Sequence, residues 1–209
     1  KSILKSSFPE HSFLAEESGE EATSSDYLWI IDPLDGTTNF VHGYPSFGVS
    51  ISLYHQNTPQ IGVVLEMPHA ILYSAIKGEG AWCDGQPISC STTSVLENSL
   101  LVTGFGYEHG ENWEKNMLLF KSFTDKTQGV RRLGAAAVDL CHVAAGKVDG
   151  FWEFDLHPWD TAAGFIIARE AGAIVTQMDG SDYSIYNNNI LVTNPILHDK
   201  MVKVIRSII

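Results

Sequence analysis

Tyr27-Leu-Trp-Ile-Ile-Asp32-Pro-Leu-Asp35-Gly-Thr-Thr-Asn-Phe40 joins an apolar run to two acids and then to a small polar tract. Tyr27 to Ile31 has the length and the aromatic and β-branched content of a buried strand ending in an acidic turn. Pro33 fixes one φ angle and supplies no N–H, so the Asp-Pro-Leu-Asp turn is stiff. Both carboxylates can then face one point, which suits a hard cation that seeks oxygen ligands. Gly36-Thr37-Thr38 falls at the expected start of a helix, where backbone N–H groups and the helix dipole form a seat for a phosphate. The plainer reading makes Asp32 and Asp35 turn and capping residues. A calcium EF-hand fails on spacing, because the twelfth residue from Asp32 is Gly43 rather than Glu. An aspartyl-nucleophile phosphatase would carry Asp-x-Asp-Gly-Thr, whereas here two residues separate the acids. Asp35 as a covalent nucleophile stays open as the mechanistic rival.

Two further stretches carry acids in suggestive places. In Glu153-Phe-Asp-Leu-His-Pro-Trp-Asp160-Thr-Ala-Ala-Gly164, Asp160 sits in the first turn of a helix whose other residues are small or apolar. Capping explains an acid there. The Ala162-Ala163-Gly164 run, however, lets that helix lie close to a neighbour and holds the carboxylate firmly, as a metal ligand requires. In Leu14-Ala-Glu16-Glu17-Ser-Gly19 the paired acids follow apolar Phe13-Leu14, so Glu16 can point inward instead of lying on a solvated surface.

Around these motifs the chain alternates between element types. Phe47–Tyr54, Gln60–Met67 and Ala70–Ile76 read as strands of an antiparallel meander, with a tight turn at Asp84-Gly85. Beyond Ser99, strands are expected at Leu100–Thr103, Val148–Phe154, Ala173–Gln177 and Ile190–Thr193. Helices are expected at Asn112–Phe123, Ala135–Ala145, Pro158–Ala171 and His198–Ser207. No repeat or linker interrupts the 209 residues, so residues 1–209 are expected to form one α+β layered domain.

Acids outnumber bases 25 to 13, a formal net charge of −12, which disfavours nucleic acid and anionic membranes as partners. The same charge repels a phosphate ester unless cations intervene. Three scattered cysteines, Cys83, Cys90 and Cys141, have no metal-site spacing and point to a reducing, cytoplasmic setting. The chain opens on Lys1-Ser-Ile-Leu-Lys-Ser without Met, like the tail of an amphipathic helix. Residues upstream are therefore expected to be missing, and an organellar address could have been lost with them.

Asp32-Pro-Leu-Asp-Gly-Thr-Thr-Asn-Phe40, Trp159-Asp-Thr-Ala-Ala-Gly164 and Ala15-Glu-Glu-Ser18 together resemble the inositol monophosphatase family, in order and over nearly the whole chain, with Arg132-Leu-Gly-Ala-Ala-Ala-Val138 between them. The resemblance implies a layered α/β/α/β/α sandwich, with the family's N-terminal helices lacking here. It also implies magnesium-dependent hydrolysis of a small polyol or sugar phosphate ester, two or three Mg2+ ions, sensitivity to lithium and a homodimer. On this resemblance Glu16, Asp32 and the Leu34 carbonyl hold one ion, while Asp32, Asp35 and Asp160 hold a second. Gly36 and Thr37 seat the phosphate through backbone N–H groups, and the Thr37 hydroxyl orients the attacking water. Ala136 and Glu153 match positions that meet polyol hydroxyls, and Glu17 a supporting acid. Tyr107 stands where animal members have a small serine, which predicts a different pocket rim.

The resemblance makes inositol 1-phosphate the first substrate to expect. Fructose 1,6-bisphosphate, histidinol phosphate, nucleotide 3′-phosphates and NADP stay open, as does a non-catalytic metal-binding regulator. No histidine is needed in the reaction, and His157 is expected to pack or to support a ligand.

Overall fold

The computed structural model describes residues 1–209. The first half contains α1 (Ser2–Ser7), β1 (Ser12–Ala15), β2 (Gly19–Glu21), β3 (Tyr27–Asp35), α2 (Thr37–His42), β4 (Phe47–His55), β5 (Thr58–Met67), β6 (Ile71–Ile76), β7 (Gly80–Cys83) and β8 (Gln86–Pro87). Then follow β9 (Leu100–Thr103), α3 (Glu111–Lys126), β10 (Gly129–Arg131), α4 (Ala136–Ala144), β11 (Gly150–Phe154), α5 (Pro158–Glu170), β12 (Ile174–Thr176), β13 (Asn189–Thr193) and α6 (His198–Arg206).

One sheet has the order β2-β1-β3-β4-β5-β6-β7-β8 and is antiparallel except for its parallel β1–β3 pair. The other has the order β10-β9-β11-β13-β12, parallel over its first three strands and antiparallel over the rest. The expected meander is present. The strands β1 and β10 were not expected: each has only three or four residues, too few for alternation to stand out.

Alternation along the central strands sorts their side chains between layers. Val102, Phe151, Ile190 and Val192 face α4 and α5 in the largest core, together with Val64 and Tyr73 of the long sheet. Their strand neighbours Leu101, Trp152 and Leu191 face the other way, onto Leu119 and Phe123 of α3 and Met201 and Ile205 of α6. The layers therefore run sheet, α4/α5, sheet, α3/α6. On the far side of the long sheet, Phe13, Trp29 and Ile31 pack with Leu4 of α1. That outermost layer is a single short helix, and Leu72 and Ile76 on the long sheet are exposed.

The helix pair α4/α5 is as close as its small residues suggested. A Cβ added at Gly164 would lie 2.6 Å from the Leu140 side chain, and one added at Gly62 would run into Ile166. Only hydrogen fits at either position, so α5 is seated on both β5 and α4. Its first turn, which carries Asp160, is thereby fixed against the long sheet.

Candidate active site

The strand bearing Asp32 and Asp35 does not stop at Ile31 as expected; it pairs with β4 through Asp35. Residues three apart on a regular strand point to opposite faces. Here the register slips between Asp32, opposite Ser50, and Asp35, opposite Gly48, so the strand carries one extra residue in a bulge. The bulge returns both carboxylates to the same side, and both are buried, 2% and 7% exposed. Parallel pairing of Ala15 with Ile31 then brings the carboxyl ends of β1 and β3 side by side, placing Glu16 next to Asp32.

One cavity of about 980 Å3 collects the expected residues. Glu16, Asp32, Leu34, Asp35, Gly36, Thr37, Ala136, Glu153 and Asp160 all line it, together with Glu17 and Tyr107. Backbone donors hold most of the acids. Asp32 accepts the Leu34 N–H at 2.9 Å, and Asp160 accepts the His157 N–H at 2.7 Å. Asp35 accepts the Ala136 and Ala137 N–H groups, one on each oxygen, at 3.1 and 2.9 Å, and so caps α4. The N–H of Ala136 is thus given to Asp35. The Thr37 hydroxyl donates to the Leu34 carbonyl at 3.0 Å. At the mouth, Tyr107 shares a 2.9 Å hydrogen bond with Thr38, and its ring is 81% exposed.

Glu153 owes its place to Gly104, where any methyl group would strike its carboxylate. Gly104 is fixed in turn by the buried Asn116, which donates to the Gly104 carbonyl and accepts the Trp152 indole N–H, both at 2.6 Å. His157 stacks flat on Trp159 at 4.8 Å, with Nδ1 3.6 Å from Asp160.

Crowding acids in a half-enclosed cavity disfavours their ionised forms. Burial, reinforced by the charge of Asp35 and then of Glu16 and Asp160, pushes Asp32 up to about 8 against the Leu34 N–H. Burial and the Asp160 charge push Asp35 up to about 7, restrained by the N–H groups of Ala136, Ala137 and Val138. Asp160 is raised by burial and Glu16, opposed by His157. Glu153 lies well above the usual carboxylate range, chiefly from burial and then from Asp160 and Asp35.

Carboxylates that hold each other's charge down are a fit for a hard divalent cation, and the donors at hand are all oxygen: carboxylates and the Leu34 carbonyl. The expected cage is not closed, however. No three acidic, His or Cys side chains gather around one metal-sized point.

The whole chain, residues 1–209, matches the family model described as the inositol monophosphatase family. A chloroplastic phosphatase of Arabidopsis thaliana, IMPL1, is 50% identical over 208 residues, covering 96% of this chain. The chain spans 56% of that relative's length, little more than half. A Synechocystis inositol-1-monophosphatase is 46% identical over 200 residues, covering 95% of this chain and 70% of its own. The inositol monophosphatase structure from Anabaena superposes with a TM-score of 0.91 at 44% identity, covering 100% of this chain and 83% of that one.

The chain belongs to the inositol monophosphatase family.

Other relatives carry other names. The Nus factor SuhB of Pseudomonas aeruginosa is 40% identical over 196 residues, covering 91% of this chain and 72% of its own. Structures of SaIMPase-II bound to inositol monophosphate and to 2′AMP have TM-scores of 0.85 and 0.84 at 29% and 30% identity, each covering 97% of this chain and 78% of theirs.

For this member of the inositol monophosphatase family, sequence reasoning passed over Asn39, although the motif contains it. Its amide donates to the Ser46 and Leu133 carbonyls at 2.6 and 2.7 Å, tying α2 to the loop that begins α4. An amide directly after Gly-Thr-Thr was the available signal. The loop at Leu133 lies 94 residues away in sequence, so the partner was invisible. Asp155, on the cavity rim with φ +60, was also missed; it accepts the Asn112 amide at 2.7 Å.

Proposed function

We propose that the chain hydrolyses a phosphate monoester of a small polyol or sugar, with inositol 1-phosphate the first substrate to test, and that it requires Mg2+. The observation that carries this reading is the convergence of Glu16, Asp32, Asp35 and Asp160 on one cavity beside the Gly36-Thr37 turn. Glu16, Asp32, the Leu34 carbonyl, Asp35 and Asp160 are the residues that would hold Mg2+, two or three ions in all. When bound, the cations would compensate the phosphate charge, activate a water and stabilise the departing alkoxide.

The chain's own groups do the positioning. Gly36 has φ +83, and a Cβ there would lie 3.0 Å from the Ser46 carbonyl, so only glycine fits this turn; the Gly36 and Thr37 N–H groups would seat the phosphate. Thr37 would orient the attacking water by turning its hydroxyl away from the Leu34 carbonyl. Ala136 and Glu153 would meet the alcohol, Glu153 as a buried hydrogen-bonding group held by Gly104. Each Asp35 oxygen accepts one N–H group of α4, which makes the carboxylate a weaker nucleophile while leaving a lone pair on each oxygen for a cation. That favours water over the covalent route. The family resemblance supports a homodimer. No helix is long and apolar enough to cross a membrane.

The test is phosphate release from a panel of monoesters with Mg2+, with EDTA and after readdition of Mg2+. Release that EDTA abolishes and Mg2+ restores is the expected result. Tight Mg2+ binding with no release from any ester would instead favour a regulatory protein. That second reading is supported by the SuhB relatives named as Nus factors.

A further inference from the structure

Away from the acid-lined cavity the molecule has a second hollow of about 310 Å3, at the lower end of the range for small-ligand sites. Its lining includes Tyr54, Phe165, Arg169, Tyr183, Ile185 and Tyr186, and it contains no Asp or Glu. In a chain of net charge −12, this hollow is lined by a cation and no acid.

Arg169 is the cation. Its guanidinium lies over the Phe165 ring, 5.3 Å from the centroid, and it takes part in no salt bridge. Phe165 meets Tyr183 edge-on at 5.4 Å and 61°, which fixes the rings that form the wall. Two of the hydroxyls are committed: Tyr54 donates to the Ala162 carbonyl at 3.3 Å and Tyr183 to the Thr161 hydroxyl at 3.0 Å. What the hollow offers a visitor is aromatic surface and one guanidinium, with the neutral polar residues Asn57, Thr58 and Ser184 completing its lining. A guanidinium resting on a ring keeps its in-plane N–H donors for a carboxylate or phosphate. Tyr186, 61% exposed, supplies a flat face at the opening. Burial, and after it the charge of Glu20, raises the Tyr186 phenol above its usual value.

We propose that this hollow binds a planar aromatic molecule carrying one anionic group, its ring among Tyr183, Ile185 and Tyr186 and its anion on Arg169. A cation would meet Arg169 unfavourably, and a non-aromatic anion would forgo the ring surface. The site is independent of the proposed hydrolysis, although its floor is α5, the helix that carries Asp160.

The experiment titrates the intact chain, with Mg2+ present, with naphthalene-2-carboxylate followed by ligand-observed NMR. Naphthalene-2-methanol carries the ring without the charge, and cyclohexanecarboxylate the charge without the ring. Naphthoate is expected to bind at least about tenfold more tightly than either control, a difference of one lost contact. Arg169→Gln is expected to weaken naphthoate about tenfold and leave the alcohol unchanged. Tyr186→Ala is expected to weaken both ring compounds. Arg169 and Tyr186 are exposed, so the variants should keep the wild-type melting temperature. Equal affinity for acid and alcohol, or no change in Arg169→Gln, overturns the proposal. So does displacement of naphthoate by inorganic phosphate or its loss in Asp32→Asn, since either would place the ligand in the acidic cavity.

Discussion

Helix α5 borders two hollows of opposite chemistry. Its first turn carries Asp160 into a cavity lined by eight acids, Glu16, Glu17, Asp32, Asp35, Glu108, Glu153, Asp155 and Asp160, against one arginine, Arg132. Further along, Phe165 and Arg169 face a hollow with no acid at all. In the second hollow the Tyr54 and Tyr183 hydroxyls are paired and Phe165 meets Tyr183 edge to face, contacts that agree with the fold. In the first, burial and like charge push Asp32 up to about 8 and Asp35 up to about 7, against the backbone N–H groups that hold them. A protein that sought stability alone would not assemble such a cluster. The contrast locates the chemistry.

The largest expected effect follows directly. Asp32→Asn and Asp160→Asn should each lower Mg2+-dependent phosphate release at least about a hundredfold, the lower end for loss of a charge-stabilising group. Arg169→Gln, on the same helix as Asp160, should leave release unchanged. Steady-state kinetics on purified variants decide it. Wild-type rates in both Asp variants would remove the acidic cavity from the reaction.

Stability against pH separates the hollows next. An acid whose pKa is raised on folding binds more protons in the native state than in the unfolded one between its two values, so stability falls as pH rises. With Asp32 near 8 and Asp35 near 7, EDTA-treated protein should lose stability as pH climbs from about 4 to 8. Mg2+ at a hundred times its Kd should restore about 2.7 kcal/mol near pH 8, and Asp32→Asn should blunt both the slope and the Mg2+ response. Urea titrations at several pH values measure it. A flat profile in EDTA would mean that burial and mutual charge do not raise these acids in solution.

The acids themselves were legible in the sequence because they sit in short, contiguous motifs: Glu16 after an apolar pair, Asp32 and Asp35 on one strand, Asp160 in a helix start. The local reason they converge was only half legible. Pro33 suggested a stiff turn, whereas the strand runs on and a bulge opposite Ser50 and Gly48 turns both side chains inward. A register slip depends on the partner strand, and nothing in Asp-Pro-Leu-Asp specifies it. Glu16 had the weakest signal, since a four-residue β1 shows too little alternation and its parallel partner lies farther along the chain. The second hollow had no local signal. Its walls come from β4, α5 and the loop around Tyr183 to Tyr186, which only packing brings together.

Asn39 offers a smaller test on the acidic side. Asn39→Ala removes donors to the Ser46 and Leu133 carbonyls, leaving part-buried acceptors unpaired at about 1–3 kcal/mol. Because the tie also sets the loop that leads to Ala136 and Ala137, KM for the ester should rise along with the loss in urea midpoint. A stability loss with unchanged KM would make Asn39 a brace for the fold alone.

The finest distinction compares two exposed tyrosines, Tyr107 at 81% and Tyr186 at 61%. Tyr107 is held at the acidic mouth by its hydroxyl bond to Thr38, whereas Tyr186 presents its ring to the acid-free hollow. An exposed hydrogen bond contributes about 0.5–1.5 kcal/mol at most, so Tyr107→Phe should change KM for the ester by no more than about tenfold, with melting temperature and naphthoate affinity unchanged. Tyr186→Ala should do the reverse, weakening naphthoate while leaving KM alone. If either variant moved both quantities, the two hollows would share an energetic link through α5, and the separation drawn from their linings would fail.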